Sequence, residues 1–164
     1  MKVTAQEEYG LRILIRIAAC KDSEGLSVPQ IADAEGLTSH YTAKLTRELR
    51  LAGFVQSTPG NKGGYLLAKP AHQIILRDVL KTLGGTVFDN KFCIAHTGAL
   101  RFCTNSVDCS ARSLWQIIQF TLDKLLVQIT LEDLIGSEAA SSQKFASLVD
   151  QNPVLNTQPT PNRL

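Results

Sequence analysis

Residues 27–70 of this chain are SVPQIADAEGLTSHYTAKLTRELRLAGFVQSTPGNKGGYLLAKP, and this stretch decides the fold class. Pro29 suits the first position of a helix that runs to about Glu35, and Gly36 ends that helix. Thr38 is a candidate N-cap for a second helix over residues 39–52. Two helices joined by a short turn that contains glycine are typical of a DNA-reading helix-turn-helix.

The second of these helices is predicted to have an apolar face and a basic face. Its apolar stripe consists of Tyr41, Leu45, Leu49 and Ala52. From Thr38 to Lys69 there are five Lys or Arg residues against one Glu, a local balance of 5 − 1 = +4, which favours a polyanionic partner. The candidate DNA contacts in this helix and its cap are Thr38, Ser39, His40, Tyr41, Lys44 and Arg47.

A β-hairpin wing is predicted directly after this helix. Residues 54–57 alternate like a short strand, residues 59–64 are rich in turn formers, and residues 65–67 form the returning strand. Glycines at the tip allow the backbone to approach a phosphate closely, and Lys62 supplies positive charge there. The candidate contacts of the wing are Gly60, Asn61, Lys62, Gly63 and Gly64.

The flanking segments complete a mainly α fold with a small β-hairpin wing. Helices are predicted over residues 4–19, 76–83, 111–128 and 131–135. The helix over 111–128 is apolar on more than one face, with Leu114, Ile118 and Leu122 on one stripe and Trp115 and Ile117 widening it, which predicts a dimerisation helix. We therefore expect a winged helix-turn-helix domain over 1–83, a cysteine-rich segment and dimerisation helix over 84–136, and a mobile tail over 137–164, ordered at most around 145–149.

The composition fits one ordinary globular domain and excludes several classes of protein. The chain has 164 residues, 44% hydrophobic and 20% charged, with a net charge of only +2. The apolar stretch at 11–19 contains Arg12 and Arg16 and is too short to span a membrane. No export signal precedes the four cysteines, so we expect reduced thiols and a cytoplasmic location. We find no Ser/His/Asp arrangement and no phosphate-cradling loop, so neither an enzyme nor a small-molecule substrate is expected.

Three of the cysteines lie close together in a segment without periodicity, residues 86–109. Nine residues separate Cys93 from Cys103, and five separate Cys103 from Cys109, which is not the close pair of a structural zinc site. Three thiolates on such a segment can wrap an iron-sulfur cluster, and a fourth ligand then comes from elsewhere. A zinc site that stiffens a dimer, and a redox metalloprotein that uses the loop in catalysis, are the alternatives. Cys20 ends the apolar run of the first helix and is expected to pack in the core.

The ordered set of motifs resembles the Rrf2 family of bacterial regulators over residues 1–136. The matching motifs are MKVT at 1–4, YGLR at 9–12, GGYLL at 63–67, KP at 69–70, and the three cysteines before a long helix. The resemblance implies a transcription regulator that senses redox state, nitric oxide, or iron and cluster status. It also implies a homodimer on a palindromic double-stranded operator, with an iron-sulfur cluster held between the cysteine loop of one subunit and the N-terminal region of the other.

The chain departs from the family pattern at two positions. One branch of the family places a histidine ligand three residues after its last cysteine, where this chain has Arg112. In other branches an acidic residue on the first helix completes the cluster, which implies Glu8 of the partner subunit here, with His96 as the rival ligand. Many relatives carry an arginine in the wing where this chain has Pro59. Three cysteines and one oxygen ligand suit either a 2Fe-2S or a 4Fe-4S cluster.

Overall fold

The computed structural model describes residues 3–59, 63–97 and 102–151, which are mainly helical with one small antiparallel hairpin. In chain order the elements are α1 Ala5–Ala18, α2 Val28–Glu35, α3 Ser39–Leu51, β1 Val55–Ser57, β2 Tyr65–Leu67, α4 Leu76–Thr82, α5 Asn90–Ala95, α6 Ser110–Leu126 and α7 Glu138–Asp150. Two 3-10 turns lie at Ala71–Gln73 and Leu131–Leu134. The predicted fold class, mainly α with a hairpin wing, is confirmed.

Helices α1 to α4 enclose the hydrophobic core. Thr4 caps α1, and its side chain and that of Glu7 each accept a hydrogen bond from the other residue's backbone. Gly36 ends α2 in the left-handed conformation, with φ 67° and ψ 34°, which lets the chain turn sharply into α3. The fully buried core side chains include Ile13, Leu14, Ile17, Ile31, Leu45, Leu49, Val79 and Leu83. Among the described residues, no helix is long and apolar enough to cross a membrane.

The base of the wing is fastened to the turn that precedes α2. Tyr65 and Leu26 exchange two backbone hydrogen bonds, of 2.8 and 3.2 Å. Thr58 Oγ1 donates to the carbonyl oxygen of Glu24 at 2.9 Å and accepts from the backbone N–H of Gly64 at 2.9 Å. A Cβ atom at residue 64 would lie 2.1 Å from the Glu24 carbonyl oxygen, so only glycine fits there. These contacts hold the hairpin against the helical domain.

A buried carboxylate joins α1 to α2 and was not foreseen from the sequence. The Glu35 side chain is only 5% exposed, and its two oxygens lie 2.8 Å from Arg12 Nη2 and 2.7 Å from Arg16 Nε. The two arginine side chains remain 42% and 49% exposed. Arg12 also donates to the Glu35 backbone carbonyl at 3.3 Å. The two arginines that interrupt the apolar run of α1 therefore fix the angle between α1 and α2.

Replacing Glu35 with Gln is expected to lower the free energy of unfolding by about 1–3 kcal/mol, because the amide NH2 cannot accept a hydrogen bond from one of the two arginines and the amide oxygen accepts only a weaker bond from the other. The cost stays below that of a fully buried ion pair, since both arginines can regain water. Urea denaturation of Glu35→Gln against Glu24→Gln, which changes an exposed side chain, measures the difference. Equal stability of these two variants would show that the buried pair contributes nothing.

Three local features differ from the sequence-based expectation. Helix α5 forms inside the segment for which no helix was predicted. The sequence did not indicate it because six residues are too few to display a helical repeat. Helix α7 forms where a mobile tail was expected: Phe145 and Leu148 pack against the core, and Ser141 Oγ donates to the Asp133 carbonyl at 2.8 Å. Residues 152–164 lie outside the described part of the chain. Cys20 is partly exposed after the end of α1 and does not belong to the core cluster.

Candidate nucleic-acid interface and cysteine cavity

Helix α3 presents one exposed polar face, as predicted from its periodicity. Thr38 Oγ1 caps the helix by accepting the backbone N–H of Tyr41 at 3.3 Å. The exposed residues that follow the cap, up to residue 47, are Ser39, His40, Ala43, Lys44 and Arg47, and Arg50 and Leu51 are exposed at the end of the helix. The positive N-terminal end of the helix dipole and the side-chain cations therefore lie on the same surface, which suits contact with a polyanion.

The inward face of α3 contains two threonines that sequence reasoning missed. Thr42 and Thr46 are both fully buried, beside Leu45 and Leu49. Thr46 Oγ1 donates to the Thr42 carbonyl at 2.8 Å, whereas Thr42 Oγ1 has no hydrogen-bond partner among the described residues. The spacing of Thr42 and Thr46 from Leu45 and Leu49 places all four residues on the inward face of the helix. Because threonine is polar, these two positions do not register in an apolar stripe.

Tyr41 lies at the edge between the two faces of α3. Its ring is half-buried and meets Tyr9 of α1 edge to face, with ring centroids 6.2 Å apart. On the same helix, Glu48 accepts from Gln6 Nε2 at 3.1 Å and lies 4.0 Å from Lys44 Nζ. The Tyr41 ring therefore also contributes to the packing of α3 on α1, and a DNA contact by its hydroxyl stays a prediction.

The wing contributes less to the described surface than its sequence suggests. Gly60, Asn61 and Lys62 lie outside the described residues, so their predicted contacts are not located. Gly63 is exposed with φ +47°. Gly64 is buried against the Glu24 carbonyl, so the structure accounts for this glycine by packing, without a DNA contact.

The three clustered cysteines line one cavity of about 690 Å³. Cys93 lies on α5, Cys109 is the N-cap of α6, and Cys103 lies between these helices. All three side chains are partly buried. A segment without sequence periodicity thus gathers its thiols around a single space at the N-terminal end of the longest helix.

The donor chemistry of this cavity fits an iron-sulfur cluster, since three soft sulfur ligands face a common space. Within residues 3–59, 63–97 and 102–151, however, no three His, Cys, Asp or Glu side chains lie close enough together to hold one metal ion. The described part of a single chain therefore brings the cysteines to the same cavity without closing a metal site.

Arg112 also lines this cavity and holds the segment between the last two cysteines. Its guanidinium Nη2 donates to the carbonyl oxygens of Asn105 at 3.4 Å and Ser106 at 3.0 Å. Its backbone N–H donates to Cys109 Sγ at 3.4 Å. At the position where some relatives carry a ligand, this chain has a side chain that shapes the cysteine segment.

The two candidates for a fourth ligand lie outside the lining of the cavity. His96 is exposed, its ring stacks on Phe92 with centroids 4.1 Å apart, and its Nδ1 lies 3.0 Å from the Phe92 carbonyl. A carbonyl can only accept, so this contact assigns the ring proton to Nδ1. Glu8 is exposed on the first turn of α1. Within one chain neither side chain adds to the three thiols.

Helix α6 exposes a large apolar surface. None of its residues, all of which are described, is buried, and Leu114 and Ile117 are 54% and 55% exposed. Trp115 and Phe120 are also exposed. Single exposed hydrophobic side chains are normal on a protein surface, but a continuous apolar face of this kind is typical of an interface.

Comparison with known proteins assigns the family. Residues 3–137 match the model of Rrf2, described as an iron-dependent transcriptional regulator. Protein rrf2 of Nitratidesulfovibrio vulgaris is 32% identical over 135 residues, 82% of this chain and 87% of that protein. The HTH-type transcriptional regulator IscR of Cronobacter sakazakii is 28% identical over 138 residues, 84% of this chain and 82% of the relative.

Two solved structures agree with this assignment. CymR of B. subtilis, described as the global cysteine regulator, superposes with a TM-score of 0.62 at 29% identity and covers 87% of this chain and 98% of its own. IscR of T. potens superposes with a TM-score of 0.61 at 25% identity and covers 97% of this chain and 94% of its own. The family and the relatives IscR and CymR are described as regulators and not as enzymes, and an HTH-type transcriptional regulator acts by binding DNA. The chain belongs to the Rrf2 family of transcriptional regulators.

Proposed function

We propose that this regulator binds its operator with an affinity set by an iron-sulfur cluster, for which Cys93, Cys103 and Cys109 supply three ligands. The observation that carries the proposal is that all three thiols line one cavity at the start of α6. The iron-dependent description of the family supports the choice of iron. A family member such as CymR is described as a cysteine regulator, so family membership alone does not indicate an iron-sulfur cluster. The proposal therefore depends on the three cysteines of this chain.

The fourth ligand in this proposal is Glu8 of the partner subunit. Its carboxylate is exposed near the start of α1, where a second chain can reach it. An anionic oxygen ligand beside three thiolates completes the four protein ligands that hold either a 2Fe-2S or a 4Fe-4S cluster. When bound, the cluster supplies a redox-active and oxidant-sensitive group. Arg112 then keeps the Cys103–Cys109 segment folded around it.

Operator binding in this proposal uses the exposed face of α3 and the wing. His40, Tyr41 and Lys44 meet the major groove near the capped start of the helix, where side chains meet base edges, and Arg47 contacts a base or a phosphate. Thr38 and Ser39 lie at the same end of the helix and approach the adjacent phosphates. Lys62, together with Gly60, Asn61 and Gly63, contacts a phosphate, which adds affinity without sequence preference.

A twofold dimer through α6 places two reading helices on a palindromic operator. An α6 variant with Ile117→Glu and Phe120→Glu is expected to dissociate into monomers, because two carboxylates would be buried in an apolar interface, at a cost of about 2 kcal/mol or more. Sedimentation velocity measures the mass of each form, with Gln128→Glu, just beyond the C-terminal end of α6, as the control. A double variant that remains dimeric would place the interface elsewhere.

Anaerobic reconstitution with ferrous iron and sulfide tests the proposed cofactor. The expected product is a brown protein with acid-labile sulfide and iron in a fixed ratio to the chain. A colourless protein that binds only zinc would replace the sensing function with a structural metal site. Absorption and Mössbauer spectra of the reconstituted protein distinguish the two cluster types.

A further inference from the structure

We infer that Gln119 is a positioning residue that couples the cysteine segment to the DNA-binding domain, an inference that rests on the proposed cluster-dependent function. Gln119 lies in the middle of α6. Its Oε1 accepts the backbone N–H groups of Val87 at 2.8 Å and Phe88 at 3.2 Å. One side chain of α6 thus holds the beginning of the cysteine segment by its main chain.

The same side chain is connected to the DNA-binding domain. Gln119 Nε2 donates to Asp123 Oδ1 at 2.9 Å, and Asp123 Oδ2 lies 3.5 Å from Lys81 Nζ of α4. Helix α4 contacts α1 and α3, and its residue Val79 is fully buried in their shared core. The polar contacts therefore extend from the cysteine segment, through α6, to a helix that packs behind the DNA-reading helix.

The other end of this connection reaches the cysteines. The Phe88 ring lies 6.4 Å from the Phe92 ring, and Cys93 is the next residue along α5. A change in the order or position of the cysteine segment moves the backbone of Val87 and Phe88. Their N–H groups then either displace Gln119 as well or lose its Oε1 as their acceptor. Both N–H groups depend on one amide oxygen, so this movement is transmitted to α6 and α4 and is not absorbed by a flexible contact.

Contiguous contacts alone do not establish coupling, so the test measures coupling directly. Gln119→Leu keeps the size and apolar stem of the side chain and removes both functions of the amide. Gln128→Leu is the matched control, since Gln128 lies just beyond the C-terminal end of α6 and its amide donates to the Lys124 carbonyl of that helix, at 2.8 Å. Operator Kd is measured for the full-length dimer of each variant in the cluster-loaded and cluster-free forms.

Wild type and Gln128→Leu are expected to show a ratio of the two Kd values of about 5- to 150-fold, the usual range of allosteric coupling. Gln119→Leu is expected to reduce this ratio to within about twofold of one, while its absorption spectrum and iron content match those of wild type. Hydrogen exchange at the Val87 and Phe88 amides should become faster in this variant only.

Two results would overturn the inference and leave the proposed function standing. The first is a wild-type ratio in Gln119→Leu despite faster exchange at Val87 and Phe88. The second is loss of the chromophore in Gln119→Leu, which would make the residue part of cluster retention. A wild-type protein whose two forms bind the operator equally well would overturn the proposed function together with the inference.

Discussion

Alanine at any one of Cys93, Cys103 or Cys109 is expected to abolish the brown chromophore after anaerobic reconstitution. Removing one thiolate exposes iron to water and leaves the site with too few soft ligands, so the cluster becomes labile. The operator Kd of each variant should then be the same before and after reconstitution. Absorption spectra, iron and sulfide assays, and fluorescence anisotropy with labelled operator measure these effects.

Cys20→Ala is the matched control for this series. Cys20 is partly exposed like the other three, but its Sγ lies near the Asp22 carbonyl, at 3.9 Å, and it does not line the cavity. This variant should keep both the chromophore and the difference in operator binding. Glu8→Ala should give a labile or spectrally altered cluster, and the spectrum of His96→Ala should match wild type. Loss of colour in Cys20→Ala alone would contradict the assignment of ligands.

Alanine at Lys44 or Arg47 is expected to weaken operator binding by ~1 to 3 kcal/mol for a contact that reads a base edge. Both side chains are exposed on α3, so their removal leaves the packing of the helix intact. Circular dichroism and the midpoint of thermal unfolding should therefore match wild type. Kd values on the selected operator and on an unrelated duplex separate base reading from phosphate contact.

Lys144→Ala provides the control for loss of one positive charge. Lys144 lies on α7, where its ammonium group is 3.7 Å from Asp133. Its removal should leave operator affinity unchanged within about twofold, because a single surface cation outside the interface adds little. Unchanged affinity in both the Lys44 and Arg47 variants would remove α3 as the reading element.

The helical part of the fold was predictable because its signals are local. Gly36 ends one helix, Thr38 caps the next, and the spacing of Leu45 and Leu49 identifies the inward face of α3. Each of these signals acts within about one turn of the chain, so sequence alone locates the elements. The wing followed from its turn residues in the same way.

What could not be predicted depends on contacts between distant residues. Glu35 is buried only because two arginines of α1 reach it, and its sequence neighbours give no sign of this. Gly64 is required by the Glu24 carbonyl, forty residues earlier in the chain. Helix α7 is held by Phe145, Leu148 and the Asp133 carbonyl, contacts that exist only once the rest of the domain has folded.

The cysteine site was predicted in composition but not in geometry. Spacing grouped the three loop cysteines, and the structure places them on one cavity. Neither the Arg112 contacts to the Asn105 and Ser106 carbonyls nor the Gln119 connection could be deduced, since both need the fold of the segment between α4 and α6.

If the cluster controls operator binding, loading it in steps should change operator affinity in the same steps. Cluster-free protein is reconstituted anaerobically in increments, and operator affinity is measured at each step beside the visible absorbance. Operator affinity is expected to change in proportion to the absorbance and to reach a plateau with it. An absorbance that rises fully while operator affinity stays constant would show that the cluster does not control DNA binding, and a protein that never develops colour would show that no cluster binds.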